Sequence, residues 1–169
     1  MTPQELTNGL AFLTYGLYIV TSSHEGQDGG LIVNTVFQVT AEPARVAISV
    51  NKKSLTHEII SKSNVFAAMP LEQQTDLPFI GRFGFRTMRN FDKFAGLNVR
   101  RGVLNEPLVL EHALSFVEVE VEQTVDVGTH TLFIGLVKNA APLKEGEPLT
   151  YEYYHKVIKG KTPTGATHL

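Results

Sequence analysis

The chain has 169 residues, of which 43% are hydrophobic and 19% charged, and it carries a net charge of −2. One domain of that length, 1–169, buries about 70% of its extended-chain surface, and ten Phe and five Tyr supply such a core, which excludes a disordered chain. The lack of cysteine excludes disulfides, thiolate nucleophiles and Cys-based metal centres, and the charge excludes a general polyanion binder.

Thr2-Pro3-Gln4-Glu5 predicts a short helix, with Thr2 as cap, Pro3 at the first helical position and Glu5 closing a capping box. MTPQELTNGL has no basic segment leading into a long apolar run, and no stretch approaches the ~18 consecutive apolar residues of a membrane span. A cytoplasmic protein without a membrane partner is expected.

A strand is predicted over 15–22 (YGLYIVTS), a polar hairpin loop over 24–30 (HEGQDGG) and a second strand over 31–40 (LIVNTVFQVT). Glu42-Pro43 turns the chain, a third strand covers 45–50, and a short helix follows over 54–63. A brief apolar run, 65–69, is closed by Pro70, and 75–94 reads as short helices and loops. Over 116–123, Val117, Val119 and Val121 alternate with Glu118, Glu120 and Glu122, which marks a strand with one buried and one wet face. Another strand follows the Val127-Gly128 turn over 129–137, and a last one is predicted over 151–158, with 159–169 a loose or partner-contacting tail. Short connections between sequential strands imply antiparallel pairing, and closure removes exposed edges, so an antiparallel β-barrel with a few short peripheral helices is expected.

No G-x-G-x-x-G or G-x-S-x-G is present, and the P-loop-like Gly160-Lys161-Thr162 has His155 where a glycine is required. Six His residues show no ligand spacing, so no metal site is expected. The stretch from Asn51 to His57 lies where a strand gives way to a helix, and such a junction offers amide N–H groups and a positive dipole end to a phosphate. Lys52 adds charge, and Ser54 and Thr56 add hydroxyls; plain helix capping explains the hydroxyls equally. Asn34, Thr35, Gln38 and Thr40 punctuate one strand and suit the edge of a planar heterocycle, or else form a wet strand face. The segment 82–101 sets six basic residues among four Phe against the single acid Asp92; a dinucleotide phosphate, a subunit contact and a solvated face fit it better than nucleic acid. His130, just past a turn and between two threonines, can meet a ligand ring or serve as a satisfied polar residue.

Together YGLYIVTS (15–22), NTVFQVT (34–40), VNKKSLTH (50–57), FIGRFGFR (79–86), DKF (92–94), DVGTHTLF (126–133) and LTYEYYH (149–155) resemble the FMN-binding split-barrel flavin reductase family, closest to its ferric-reductase and flavoredoxin-like branch. The resemblance implies a homodimer of six-stranded antiparallel Greek-key split barrels, with noncovalent FMN near the interface and NADPH or NADH as co-substrate. It implies that Asn34, Thr35, Val36, Gln38, Val39 and Thr40 flank the flavin ring, and that Asn51, Lys52, Ser54 and Thr56 hold its phosphate, with Arg86 also cofactor-binding. His130 takes the place beside the nicotinamide, as the one catalytic candidate. Ser49 stands where some relatives carry Cys, and the sequence contains no C-x-x-C of the kind found in relatives fused to rubredoxin. The implied activity is NAD(P)H-dependent flavin reduction, with electrons passed to ferric chelate, free flavin, oxygen or a protein; the alternative is an FMN electron carrier without a nicotinamide site.

Overall fold

A computed structural model describes residues 1–162; 163–169, including His168 and most of the expected tail, lie outside the described residues. Helix α1 (Pro3–Leu10) starts as expected: Thr2 N–H donates to Glu5 Oε2 (2.6 Å) and Glu5 N–H to Thr2 Oγ1 (3.2 Å). It buries no residue. Strands β1 (Tyr18–His24) and β2 (Gln27–Val33) form a hairpin whose turn is only Glu25-Gly26, both at positive φ, the pairing that two-residue hairpins favour. The expected loop over 24–30 is therefore mostly strand. Gly29 and Gly30 serve close packing there: a Cβ on Gly29 would lie 3.1 Å from Thr56 Cα, and one on Gly30 3.0 Å from the Phe94 ring.

The strand expected over 31–40 is split at Asn34 and Thr35 into β2 and β3 (Val36–Ala41). Next come β4 (Ala44–Asn51), helix α2 (Leu55–Ser63), β5 (Val65–Pro70) and helix α3 (Leu77–Gly84). A two-stranded ribbon, β6 (Val99–Arg101) and β7 (Pro107–Val109), precedes the long hairpin β8 (Ser115–Asp126) and β9 (His130–Pro142). The large sheet is antiparallel with order β2-β1-β5-β8-β9-β4-β3, seven strands rather than six. β2 and β3 sit at its opposite edges although two residues join them. Laid flat, six interstrand spacings would part those edges by roughly 29 Å, whereas the link from Val33 to Val36 reaches at most about 11 Å. The sheet must therefore curl until its edges meet, a split barrel.

Val20, Ile48, Val50, Phe66, Val119 and Phe133 pack with Ile60 of α2 in one core. Leu17, Ile19, Met69, Leu71, Ile80, Phe83 and Leu108 make a second one under α3. The Val/Glu alternation in β8 holds, with Val117 and Val119 on one core, but its other face is not wet at Glu118, which is fully buried against Gly102, Leu104 and Asn139. The last strand expected is instead helix α4 (Tyr151–Lys156), because Thr150 Oγ1 caps Tyr153 N–H (3.1 Å) and Glu152 pairs with Lys156 one turn on (2.6 Å). Residues 159–162 are not loose: Tyr154 OH donates to the Lys161 carbonyl (2.9 Å), and the Tyr151 and Thr162 hydroxyls are 2.8 Å apart. Among the described residues no helix is long and apolar enough to cross a membrane.

Candidate functional site

At the end of β4 the chain passes through Asn51 and Lys52 into α2, and each step has a local cause. Asn51 Oδ1 accepts from Lys53 N–H (2.9 Å), an Asx turn, and Ser54 Oγ accepts from His57 N–H (3.3 Å) as the α2 cap. The β4–β9 register sets Asn51 opposite His130, and Lys52 N–H donates to the Thr129 carbonyl (3.1 Å). The β8–β9 turn, with Gly128 at φ 88°, thus lies directly against the N-terminus of α2. Across that seam Lys52 Nζ bonds Asp126 Oδ1 at 2.6 Å, and His57 Nε2 lies 2.8 Å from Thr131 Oγ1. His130 is buried, its Nδ1 2.8 Å from Thr129 Oγ1. Burial first, and then the Lys52 charge, hold the His57 pKa below the usual imidazole range.

This seam is one end of a cavity of about 850 Å³, a size that suits a cofactor. Asn51, Lys52, Ser54, Thr56, Thr129 and His130 make its polar end. Leu31, Ile32 and Val33 of β2 with Ile80 and Phe83 of α3 give an apolar wall, and Tyr151 and Tyr154 of α4 stand at another side. Lys93 also lines it, buried, with Nζ donating to the carbonyls of Gly30 (2.9 Å) and Phe83 (2.8 Å). Burial pulls its pKa down to about 8.

The cavity brings together seven of the residues singled out from sequence: Asn34, Asn51, Lys52, Ser54, Thr56, Arg86 and His130. It does not include Thr35, Val36, Gln38, Val39 or Thr40. Thr35 Oγ1 donates to the Ser49 carbonyl (3.2 Å), Gln38 Nε2 to the Thr40 carbonyl (3.1 Å) and Thr40 Oγ1 to the Pro43 carbonyl (2.6 Å). β3 is exposed along nearly its whole length. The basic segment 82–101 is not a free face either. Arg82 donates to the Ala95 carbonyl (3.0 Å), Arg89 pairs with Glu58, Arg100 lies 5.2 Å over the Phe116 ring, and Arg101 grips Asp28 with both terminal nitrogens (2.7 and 2.6 Å). Arg86 stacks on Phe91 at 5.0 Å. Sequence reasoning missed Lys93, Tyr151 and Tyr154 as lining residues; DKF and LTYEYYH carried them, without a sign of which side chains turn inward. Among the described residues no three His, Asp or Glu gather as a metal site.

Residues 10–159 match the family described as flavin reductase like domain. The chain belongs to that family. This flavin reductase-like protein is 47% identical over 155 residues to the ferric-chelate reductase (NAD(P)H) of Archaeoglobus fulgidus, covering 92% of each chain. It is 46% identical over 160 residues to the high molecular weight rubredoxin of Moorella thermoacetica, covering 95% of this chain and 70% of the relative. In fold it resembles the NADH:FAD oxidoreductase SgcE6 of Streptomyces globisporus, with a TM-score of 0.78 at 22% identity over 87% of this chain and 86% of that one.

Proposed function

We propose that this member of the NAD(P)H:flavin oxidoreductases holds FMN noncovalently in the cavity, reduces it with NADPH or NADH, and passes the electrons to ferric chelate, free flavin, oxygen or a protein acceptor. One observation carries this reading: the strand–helix junction with Lys52, Ser54 and Thr56 meets His130 at one cavity that apolar side chains of β2 and α3 also line. The residues fit the cofactor. A phosphate suits hydroxyl, ammonium and α2 amide donors, and an aromatic ring suits Leu31, Ile32 and Phe83.

Bound flavin supplies acceptance of a hydride from nicotinamide and onward delivery of electrons. The chain's own residues do the rest. Lys52, Ser54 and Thr56 anchor the phosphate end, so orientation is fixed before the nicotinamide arrives. Asn34, at the break between β2 and β3, presents an amide to the ring edge. His130, oriented by Thr129, positions the nicotinamide or holds a proton beside it. No side chain acts as a nucleophile. Thr35, Val36, Gln38, Val39 and Thr40 approach a ligand through a second subunit: we infer a homodimer that covers β3, where Phe37 and Val39 are 50% and 44% exposed.

The test is a visible spectrum of purified, desalted protein, then anaerobic addition of NADPH and of NADH. Flavin bands that bleach within the mixing time support the reductase, and the faster donor identifies the nucleotide. A bound flavin indifferent to both supports the electron carrier instead, a reading favoured by the relative that is a high molecular weight rubredoxin. Protein that holds no flavin and takes up no added FMN overturns both.

A further inference from the structure

Lys52, one of the cations lining the cavity and beside Lys53 at the strand–helix junction, is already engaged. Its Nζ lies 2.6 Å from Asp126 Oδ1, and the same oxygen accepts from Gly128 N–H at 2.8 Å. The carboxylate belongs to β8 and Lys52 to the exit from β4; nothing in the barrel's core depends on their meeting, since both lie at the surface, 73% and 36% exposed. The Lys52 charge and the Gly128 amide hold the Asp126 carboxyl below the usual carboxylate range, so it is ionised at neutral pH. A second anion at this ammonium must share it with Asp126 or displace it.

We infer that Asp126 is a built-in competitor for the phosphate monoester that Lys52 binds, tuning how readily the ligand leaves. The inference rests on the phosphate reading above and adds a residue whose charge opposes it. Removing the Asp126 charge frees Lys52 and removes a like charge near the incoming phosphate. Exposed ion pairs are weak, so the expected gain is about two- to fivefold in affinity at low salt, shrinking as salt screens both effects.

Asp126→Asn isolates the charge, because an Asn Oδ1 still accepts from Gly128 N–H and keeps the turn. Binding of FMN and of riboflavin, which lacks the phosphate, is measured by quenching of flavin fluorescence, and binding of NADP+ and NAD+ by calorimetry. Asp126→Asn should tighten FMN about two- to fivefold, leave riboflavin unchanged, and tighten FMN less in a Lys52→Ala background, where only the like charge is removed. If the gain instead separates NADP+ from NAD+, the competitor stands and the phosphate is the dinucleotide's. If Lys52→Ala weakens FMN and Asp126→Asn does not tighten it, the competitor is refuted while the phosphate site survives. If Lys52→Ala leaves both FMN and NADP+ unchanged, the phosphate reading falls and the competitor with it. Equal tightening of FMN and riboflavin also refutes the inference, since the charge then acts on the ring and not on the phosphate.

Discussion

Replacing Glu106 by Gln should make the protein more stable at neutral and alkaline pH. Glu106 is fully buried beside Glu118, also fully buried, and among the described residues no donor other than its own backbone amide reaches the Glu106 carboxyl. Glu118 is well supplied, with Leu104 N–H at 3.3 Å and the Asn139 amide. The charged group facing the pair from β6 is Arg101, itself committed to Asp28 of β2. Two buried carboxyls can bond only if one keeps a proton. Burial first, and then the bond to Glu118, push the Glu106 pKa up to about 8. Burial alone would raise Glu118 too, but bonds from Glu106, Asn139 and the amides of Leu104 and Val103 outweigh it and bring its carboxyl below the usual range. The unfolded Glu106 carboxyl loses its proton near 4.5, so between 4.5 and about 8 the folded state binds more protons and stability falls as pH rises. At about 1.4 kcal/mol per pH unit, the loss between pH 5 and 8 is on the order of 3 kcal/mol. The amide introduced by Glu106→Gln would keep a donor for Glu118 without titrating. Urea unfolding of both proteins at pH 5, 6, 7 and 8 gives the difference directly, with other titrating groups common to both. Lys93 stays out of this window: its pKa falls from 10.5 to about 8, so its contribution rises with pH only above that. Parallel stability curves for the two proteins from pH 5 to 8 would refute the shared proton.

Other substitutions address the site and its scaffold. His130→Ala should raise the nicotinamide KM or slow flavin reduction by up to about 100-fold while flavin content stays constant, read by stopped-flow absorbance; unchanged kinetics remove its assigned role. Gly29→Ala places a Cβ 2.9 Å from Ile59 Cδ1 and 3.1 Å from Thr56 Cα, so α2 must shift; a loss of about 1–3 kcal/mol in thermal or urea unfolding is expected, with weaker FMN retention. Phe37→Asp puts a charge on the exposed face of β3 and should turn dimers into monomers in sedimentation velocity; an unchanged sedimentation coefficient would place the interface elsewhere.

Which features could be read from sequence follows from how local their causes are. The α1 cap, the β8–β9 hairpin and the Ser54 start of α2 are set by residues within three or four positions, and they stand as expected. Gly29 and Gly30 mark a loop by composition alone, yet their reason is the approach of Thr56 and of Phe94, distant in sequence. Glu118 has the alternation of a wet strand face, and only the packing of Gly102 and Leu104, distant in sequence, over that face buries it. Lys93 counts as surface charge until the Gly30 and Phe83 carbonyls are seen to hold it. Within the site, the phosphate-type junction was legible because strand end, cap and helix are contiguous. Its union with His130 was not, since 78 intervening residues separate Asn51 from its β9 partner. That union follows from β4 lying beside β9, a pairing of strands far apart in sequence, and the curl imposed when Asn34 and Thr35 join opposite edges then closes the sheet around it. The same two residues that split the strand expected over 31–40 thus close the barrel, and Asn34 and His130 both line its cavity.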